Sequence, residues 1–243
     1  MIPNLALWQW ALGALCAANV GIAKTGVPGI GILVVPLMVL TVGDARLSAG
    51  WLLPVLCTAD IFAVIYWRRH AAARRLFVLV PWVLVGMAAG AATLALDERN
   101  LRRVVGVIIL LMLIAHLRRR FNPAGVGISA RSAPYGLAAG YSTTVANAAG
   151  PVMILYLLSK GLVKEEFVAT GAWFFFVINL LKIPIYAYHG LISEQSLIFD
   201  AMMIPAVLAG ALAGRWVLRI ISPKVFETTV LVMTGLSTVY LLK

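Results

Sequence analysis

Residues 21–31 read GIAKTGVPGIG, and residues 140–151 read GYSTTVANAAGP. Each stretch interrupts an apolar run with glycine, proline and hydroxyl-bearing residues. Proline in the first turn of a helix costs no hydrogen bond, and a preceding Thr or Asn can cap the exposed N–H groups. We therefore predict that Thr25 and Asn147, each followed by a proline, mark the starts of two half-helices.

The two stretches occupy equivalent places in a duplicated sequence. A shift of 119 positions aligns them and pairs Asp60 with Asn179. After a five-residue insertion near position 189, residues 81–90 (PWVLVGMAAG) align with residues 205–214 (PAVLAGALAG), with six identities in ten positions. Each half contains five apolar runs, an odd number, so the halves enter the membrane from opposite sides, as inverted transporter repeats do. The sequence predicts a first repeat at 1–120, a basic cytoplasmic linker at 121–132 and an inverted second repeat at 133–243.

The composition excludes a water-soluble chain. Of the 243 residues, 62% are hydrophobic and 12% are charged, whereas soluble proteins carry roughly 25% charged residues. We expect an all-α polytopic membrane protein. A soluble enzyme, a disulfide scaffold, a disordered chain and a nucleic-acid binder are excluded, the last despite a net charge of +11. The arginine clusters at 68–75 and 118–131 predict cytoplasmic loops and two external termini.

The interruptions are candidate anion sites. The start of a helix presents unpaired N–H groups and the positive end of the helix dipole. Inverted repeats bring two such starts from opposite faces, so that both can converge on one anion near mid-membrane. In the alternative interpretation, the glycines serve close helix packing and the lysine snorkels to an interface. The candidate substrate-binding residues are Lys24, Thr25, Gly26, Gly29, Gly31, Ser142, Thr143, Thr144, Asn147 and Gly150.

Four further residues within apolar runs are candidates for coupling or support. Asp60 lies near mid-span, where an ionisable residue is costly and functional by default. It either carries a coupling proton or forms a salt bridge with Lys24 or Lys182. For Asn179 a helix-to-helix hydrogen bond is favoured over a ligand contact, and for Lys182 snorkelling is favoured over substrate contact. Trp173 belongs to an aromatic run that favours bundle packing, with a place along the pathway as the alternative.

No pattern for catalysis or metal binding is present. The sequence contains no HExxH, GxSxG or Walker A motif, and its three histidines share no helical face. We therefore predict no catalytic residue, no metal and no cofactor. Cys16 and Cys57 lie in apolar runs and are predicted to be small core residues.

Three sequence motifs stand out: the glycine-rich segment 21–36, the pattern Pro-x-Val-Leu-x-Gly-x-x-x-Gly, which occurs in both halves, and Pro223-x-x-Phe226-Glu near the end of the second half. With them the chain resembles the TauE/SafE family of membrane proteins, also called sulfite exporters or TSUP transporters, from residue 8 to residue 242. In the second copy, hydroxyl residues and Asn147 replace glycines of the family pattern. The resemblance implies secondary transport of small sulfur-containing anions, such as sulfite, thiosulfate or organosulfonates, across a bacterial cytoplasmic membrane.

The residues and the resemblance together predict a proton-coupled secondary transporter that works by alternating access at a midplane site. A passive anion channel and a membrane scaffold subunit that transports nothing are the alternatives. The predicted partners are a small anionic substrate, protons as the coupling ion, and membrane lipid, with no nucleic acid. The sequence leaves the oligomeric state open, with a homodimer as one option. The predicted location is the bacterial cytoplasmic (inner) membrane.

Overall fold

The computed structural model describes residues 3–71, 76–93, 98–121, 132–146, 148–188 and 190–242. Within these ranges the regular structure is helical and includes no strand. Ten α-helices are described there, five in each half of the sequence. They are α1 (Leu7–Thr25), α2 (Val34–Val42), α3 (Ala45–Trp67), α4 (Val80–Thr93), α5 (Glu98–Phe121), α6 (Ser132–Ala146), α7 (Ala149–Ser159), α8 (Lys164–Tyr188), α9 (Glu194–Ile220) and α10 (Pro223–Leu242).

The helices fall into long spans and short segments. Four described segments are long and apolar enough to cross a membrane: Leu47–His70, Lys164–Tyr188, Glu194–Ile220 and Pro223–Leu242. In contrast, α2 has 9 residues and α7 has 11. At about 1.5 Å per residue, each covers only about half of a ~30 Å hydrocarbon core. The predicted class, an all-α polytopic membrane protein with a broken segment at the start of each half, is confirmed.

The described chain forms two compact units. Unit 1 contains residues 1–71 and 164–226, and unit 2 contains residues 72–163 and 227–243. Each unit therefore combines segments from both halves of the sequence. In unit 1, α1 packs along α9, and in unit 2, α6 packs along α4. The repeat alignment makes α1 equivalent to α6 and α9 equivalent to α4, so both units are built around the same helix pair.

Glycines set the close approach of these pairs. A Cβ atom at Gly21 would collide with the Val207 carbonyl oxygen of α9, and one at Gly140 with the Val83 carbonyl oxygen of α4. The alignment pairs Gly21 with Gly140 and Val207 with Val83. Small residues let membrane helices approach at backbone distance. The duplication is therefore visible in individual contacts, whereas the boundaries 1–120, 121–132 and 133–243 stay a prediction.

The first interruption differs from the prediction at Thr25. This residue ends α1 instead of beginning a half-helix, and the Gly26 N–H donates to the Ile22 carbonyl oxygen. The chain then turns at Gly29, whose φ of 104° suits glycine. A short 3₁₀ helix, Ile30–Leu33, leads into α2. The sequence pattern misplaced the start because a Thr hydroxyl can bond inside a helix as well as cap one.

The second interruption follows the predicted order more closely. α6 ends at Ala146 and α7 begins at Ala149, which places Pro151 in the first turn of α7. The Ala148 N–H donates to the Ser142 carbonyl oxygen at 3.0 Å, closing the end of α6. The predicted capping residue, Asn147, lies outside the described residues.

Candidate functional site

Two equivalent residues of the repeats meet inside unit 1. The Asn179 Nδ2 of α8 donates a 2.6 Å hydrogen bond to the Asp60 Oδ2 of α3, and both side chains are buried. The residues are 119 positions apart, which is the shift of the repeat. Equivalent residues of a duplicated chain touch only near the axis that relates the copies. The predicted helix-to-helix bond of Asn179 is thus confirmed, and it marks the place where the repeats meet.

Lys24 joins α1 to this pair. Its Nζ lies 2.7 Å from Asp60 Oδ1 and 4.1 Å from the centroid of the Phe175 ring. The Lys24 side chain is 11% exposed, so the ammonium group is largely desolvated. Of the two predicted partners for Asp60, the structure thus shows the salt bridge with Lys24. The alternative of a snorkelling Lys24 is wrong.

Lys182 also points inward. Its side chain is 2% exposed and interacts electrostatically with Asp60 and Lys24. The snorkelling predicted for Lys182 is therefore wrong. The reason is helical geometry: Lys182 follows Asn179 by three residues, so both lie on the face of α8 that packs against α3.

Four polar residues and the aromatic ring beside Lys24 form a largely buried cluster, which we name the Asp60 cluster: Lys24, Asp60, Asn179, Lys182 and Phe175. Charged groups in a membrane interior are costly and persist where they pair or act on a substrate. Two ammonium groups and an amide can donate to an oxyanion. The carboxylate can accept a proton and so lose its attraction for Lys24. The cluster therefore combines groups that are chemically able to bind an anion with a group that is able to bind a proton.

Several predicted ligand residues instead serve packing. The Thr25 hydroxyl donates to the carbonyl oxygens of Gly21 at 2.9 Å and Ala211 at 2.7 Å. The Thr144 hydroxyl donates to the Gly140 carbonyl oxygen at 3.0 Å. A Cβ atom at Gly26 would collide with the Gly214 backbone of α9. In the structure, these three candidates therefore make contacts within and between helices, as the alternative interpretation of the interruptions expects.

The other candidates at the interruptions have different surroundings. Gly31 has only an ordinary contact, and Gly150 has open space where a side chain would start. Thr143 is buried at 2% exposure. The Ser142 side chain is fully buried, and its Oγ has no hydrogen-bond partner in the described part of the chain. Away from the interruptions, the candidate Trp173 of α8 contacts the Phe176 ring edge-on, with ring centroids 6.1 Å apart.

Two polar side chains were not among the candidates from the sequence, which predicted an interfacial position for Asp200 and did not single out Asn19. Asp200 of α9 accepts a hydrogen bond from the Thr58 hydroxyl of α3, at 3.2 Å to its Oδ2. Asn19 of α1 has a buried Oδ1 without a partner among the described residues. The available signal for Asn19 was an amide inside the apolar run 5–21. The predicted core cysteines, Cys16 and Cys57, are both buried free thiols, as expected.

Comparison with known proteins identifies the family. A search of curated proteins returned no match, and a search of solved structures returned none either. The family model described as "Sulfite exporter TauE/SafE" matches residues 12–241. This match spans both repeats, both interruptions and every residue of the Asp60 cluster. The chain therefore belongs to the TauE/SafE family of sulfite exporters, which are membrane transporters of small anions.

Proposed function

We propose that this protein is a proton-coupled secondary transporter of a small sulfur-containing anion, working by alternating access. Family membership supports the membrane location and the class of substrate. The observation that carries the coupling is the direct bond between the repeat-equivalent residues Asp60 and Asn179, with the Lys24 ammonium 2.7 Å away. Substrate sites of inverted-repeat transporters lie at the interface of the repeats.

The Lys24–Asp60 pair provides a coupling mechanism. While Asp60 is ionised, its carboxylate holds Lys24 and competes with an incoming anion. Protonation of Asp60 removes this competitor, so the ammonium group becomes available to the anion. A proton and a monovalent anion then enter the buried cluster together and add no net charge to it. This matters because net charge in a low-dielectric interior is costly.

The direction of transport follows from the combined gradients. When one proton accompanies each monovalent anion, the step is electroneutral, so membrane potential does not drive it. A high internal anion concentration then drives export, in accord with the family description. An inward proton gradient drives uptake when external anion is supplied. The additional donors expected at the second interruption, including Asn147, stay a prediction.

Transport into proteoliposomes tests this proposal. We expect saturable uptake of sulfite, thiosulfate or a small organosulfonate that accelerates when the outside is more acidic, and loses this acceleration on addition of a protonophore. A carboxylate of similar size is the control substrate. Flux that does not saturate and ignores the proton gradient would indicate a passive channel. Absence of flux, together with no thermal stabilisation by any anion, would indicate a scaffold.

A further inference from the structure

Asn19 has an amide oxygen that accepts no hydrogen bond within the described structure. It lies in α1, and its Oδ1 is buried without a hydrogen-bond partner among the described residues. In a membrane interior, water cannot satisfy such a group unless a cavity reaches it. Polar side chains in membrane helices normally bond to a neighbouring helix. A buried amide oxygen in α1 without a partner in the described structure therefore indicates a place where a hydrogen-bond donor can arrive from outside the protein.

The neighbours of Asn19 show which part of unit 1 it faces. Cys16 and Ala23, three residues before and four after it, lie on the same side of α1. The Cys16 thiol donates to the Val34 carbonyl oxygen at 3.3 Å. The Ala23 methyl group lies 3.4 Å from the position of a Cβ atom at Gly31. Asn19 thus lies on the side of α1 that contacts Gly31 and the first residue of α2.

The second repeat carries a similar group at a related position. Ser142 aligns with Ala23, so it occupies the same face of the equivalent helix, one turn away from the position of Asn19. Its fully buried Oγ also lacks a partner within the described ranges. The Ser142 carbonyl oxygen accepts from the Ala148 N–H, which places the residue beside the second interruption. Packing alone gives no reason for an unsatisfied polar group at both places.

We propose that Asn19 binds the transported anion and favours anions that carry a hydrogen-bond donor. The buried atom is the carbonyl oxygen of the amide, which only accepts hydrogen bonds. A fully deprotonated oxyanion offers lone pairs alone and leaves this oxygen unsatisfied. An anion with a hydroxyl group, an amino group or a protonated oxygen supplies the missing hydrogen. This inference rests on the proposed function and specifies which members of the substrate class the site selects.

A pair of matched ligands tests the selection. Isethionate (2-hydroxyethanesulfonate) and ethanesulfonate have the same carbon chain and differ by one hydroxyl group. We expect purified wild-type protein to bind isethionate about tenfold or more tightly than ethanesulfonate. Ethanesulfonate has no hydroxyl group to donate, so the buried Asn19 carbonyl oxygen stays without a hydrogen bond in its complex. The variant Asn19→Leu should bind both ligands with similar Kd values. Calorimetric titration in detergent measures both.

Gln9→Leu is the matched control. Gln9 is an amide of the same helix, but it is satisfied: its Nε2 donates to the Thr41 carbonyl oxygen at 2.9 Å, and its Oε1 accepts from the Ala6 N–H at 2.8 Å. This variant should keep the preference for isethionate and unfold at a lower temperature than wild type. Asn19→Leu should unfold at the same or a higher temperature, because it removes an unsatisfied buried group.

The outcomes separate this inference from the proposed function. If wild-type protein binds neither sulfite, thiosulfate nor either sulfonate, the proposed function fails. If it binds sulfonates without preferring isethionate, or if Asn19→Leu keeps the preference, the role of Asn19 is refuted while the proposed function stands. Unfolding of Asn19→Leu under conditions where Gln9→Leu stays folded would show a structural amide and would also refute the inference.

Discussion

Asp60→Asn tests the coupling mechanism most directly, because it removes the charge and keeps the shape. Asp60 is fully buried, and its carboxylate lies 2.7 Å from the Lys24 ammonium. Removing one partner of a buried ion pair costs about 3–5 kcal/mol. Lys24 is 11% exposed and retains the Phe175 ring, which relieves part of this cost. We therefore expect about 3 kcal/mol, or a fall in Tm of about 6–12 °C for a chain of this size.

The double variant Lys24→Met/Asp60→Asn isolates the pair energy. Replacing both charges of a buried pair is often neutral or stabilising. We expect the double variant to unfold at a higher temperature than Asp60→Asn alone, because no charge is then left uncompensated. Thermal unfolding of wild type, both single variants and the double variant gives the coupling energy. Additive effects of the two substitutions would contradict the pairing on which the mechanism depends.

The transport assay adds the functional prediction for Asp60→Asn. The variant lacks a titratable carboxylate beside Lys24, so the ammonium group is permanently available to the anion. We expect proteoliposomes to exchange labelled for unlabelled anion while showing no acceleration by a proton gradient. Anion affinity should also lose most of its dependence on pH. Gradient-driven uptake by Asp60→Asn at the wild-type rate would refute Asp60 as the coupling group.

Three further predictions concern packing and binding, and each is measured by thermal unfolding in detergent. Gly140→Ala should unfold several degrees below wild type, since the added methyl group meets backbone atoms of α4. Gly235→Ala, where the methyl group has open space, is the control and should be neutral or stabilising. Equal changes in Tm for the two variants would contradict the close approach of α6 and α4 at Gly140. Thr25→Val should cost about 1–2 kcal/mol because it loses an interhelical bond, and Thr144→Val should cost less because it loses only a bond within its own helix; the reverse order would refute this assignment. Lys182→Met should weaken anion binding about tenfold, because it removes one charged hydrogen-bond donor. Much more sulfite should then be needed for the same rise in Tm. A rise in Tm with sulfite equal to that of wild type would exclude Lys182 from the anion site.

The polar members of the Asp60 cluster were all candidates from the sequence, but the sequence did not decide which of them bond to each other. Asp60 and Asn179 could be matched through the repeat shift alone, since duplication is visible in the order of residues. The inward direction of Lys182 could not, because an apolar helix gives no periodic signal for which side faces a partner. Asn19 was missed for a related reason: one amide in an apolar run does not reveal whether its hydrogen bonds are satisfied.

The amino-acid sequence by itself determined the environment and the architecture. Twenty-residue apolar stretches suit only a bilayer, and the mirrored interruptions with a repeated glycine pattern specify two related halves of helices. Only the tertiary structure decided which buried polar groups of the described residues already form hydrogen bonds within the protein and which do not. Thr25 and Thr144 contain the same hydroxyl group as any ligand-binding threonine, yet nearby carbonyl oxygens already accept their protons. Hydrogen-bond satisfaction depends on neighbours brought together from distant parts of the chain, and local sequence does not contain that information.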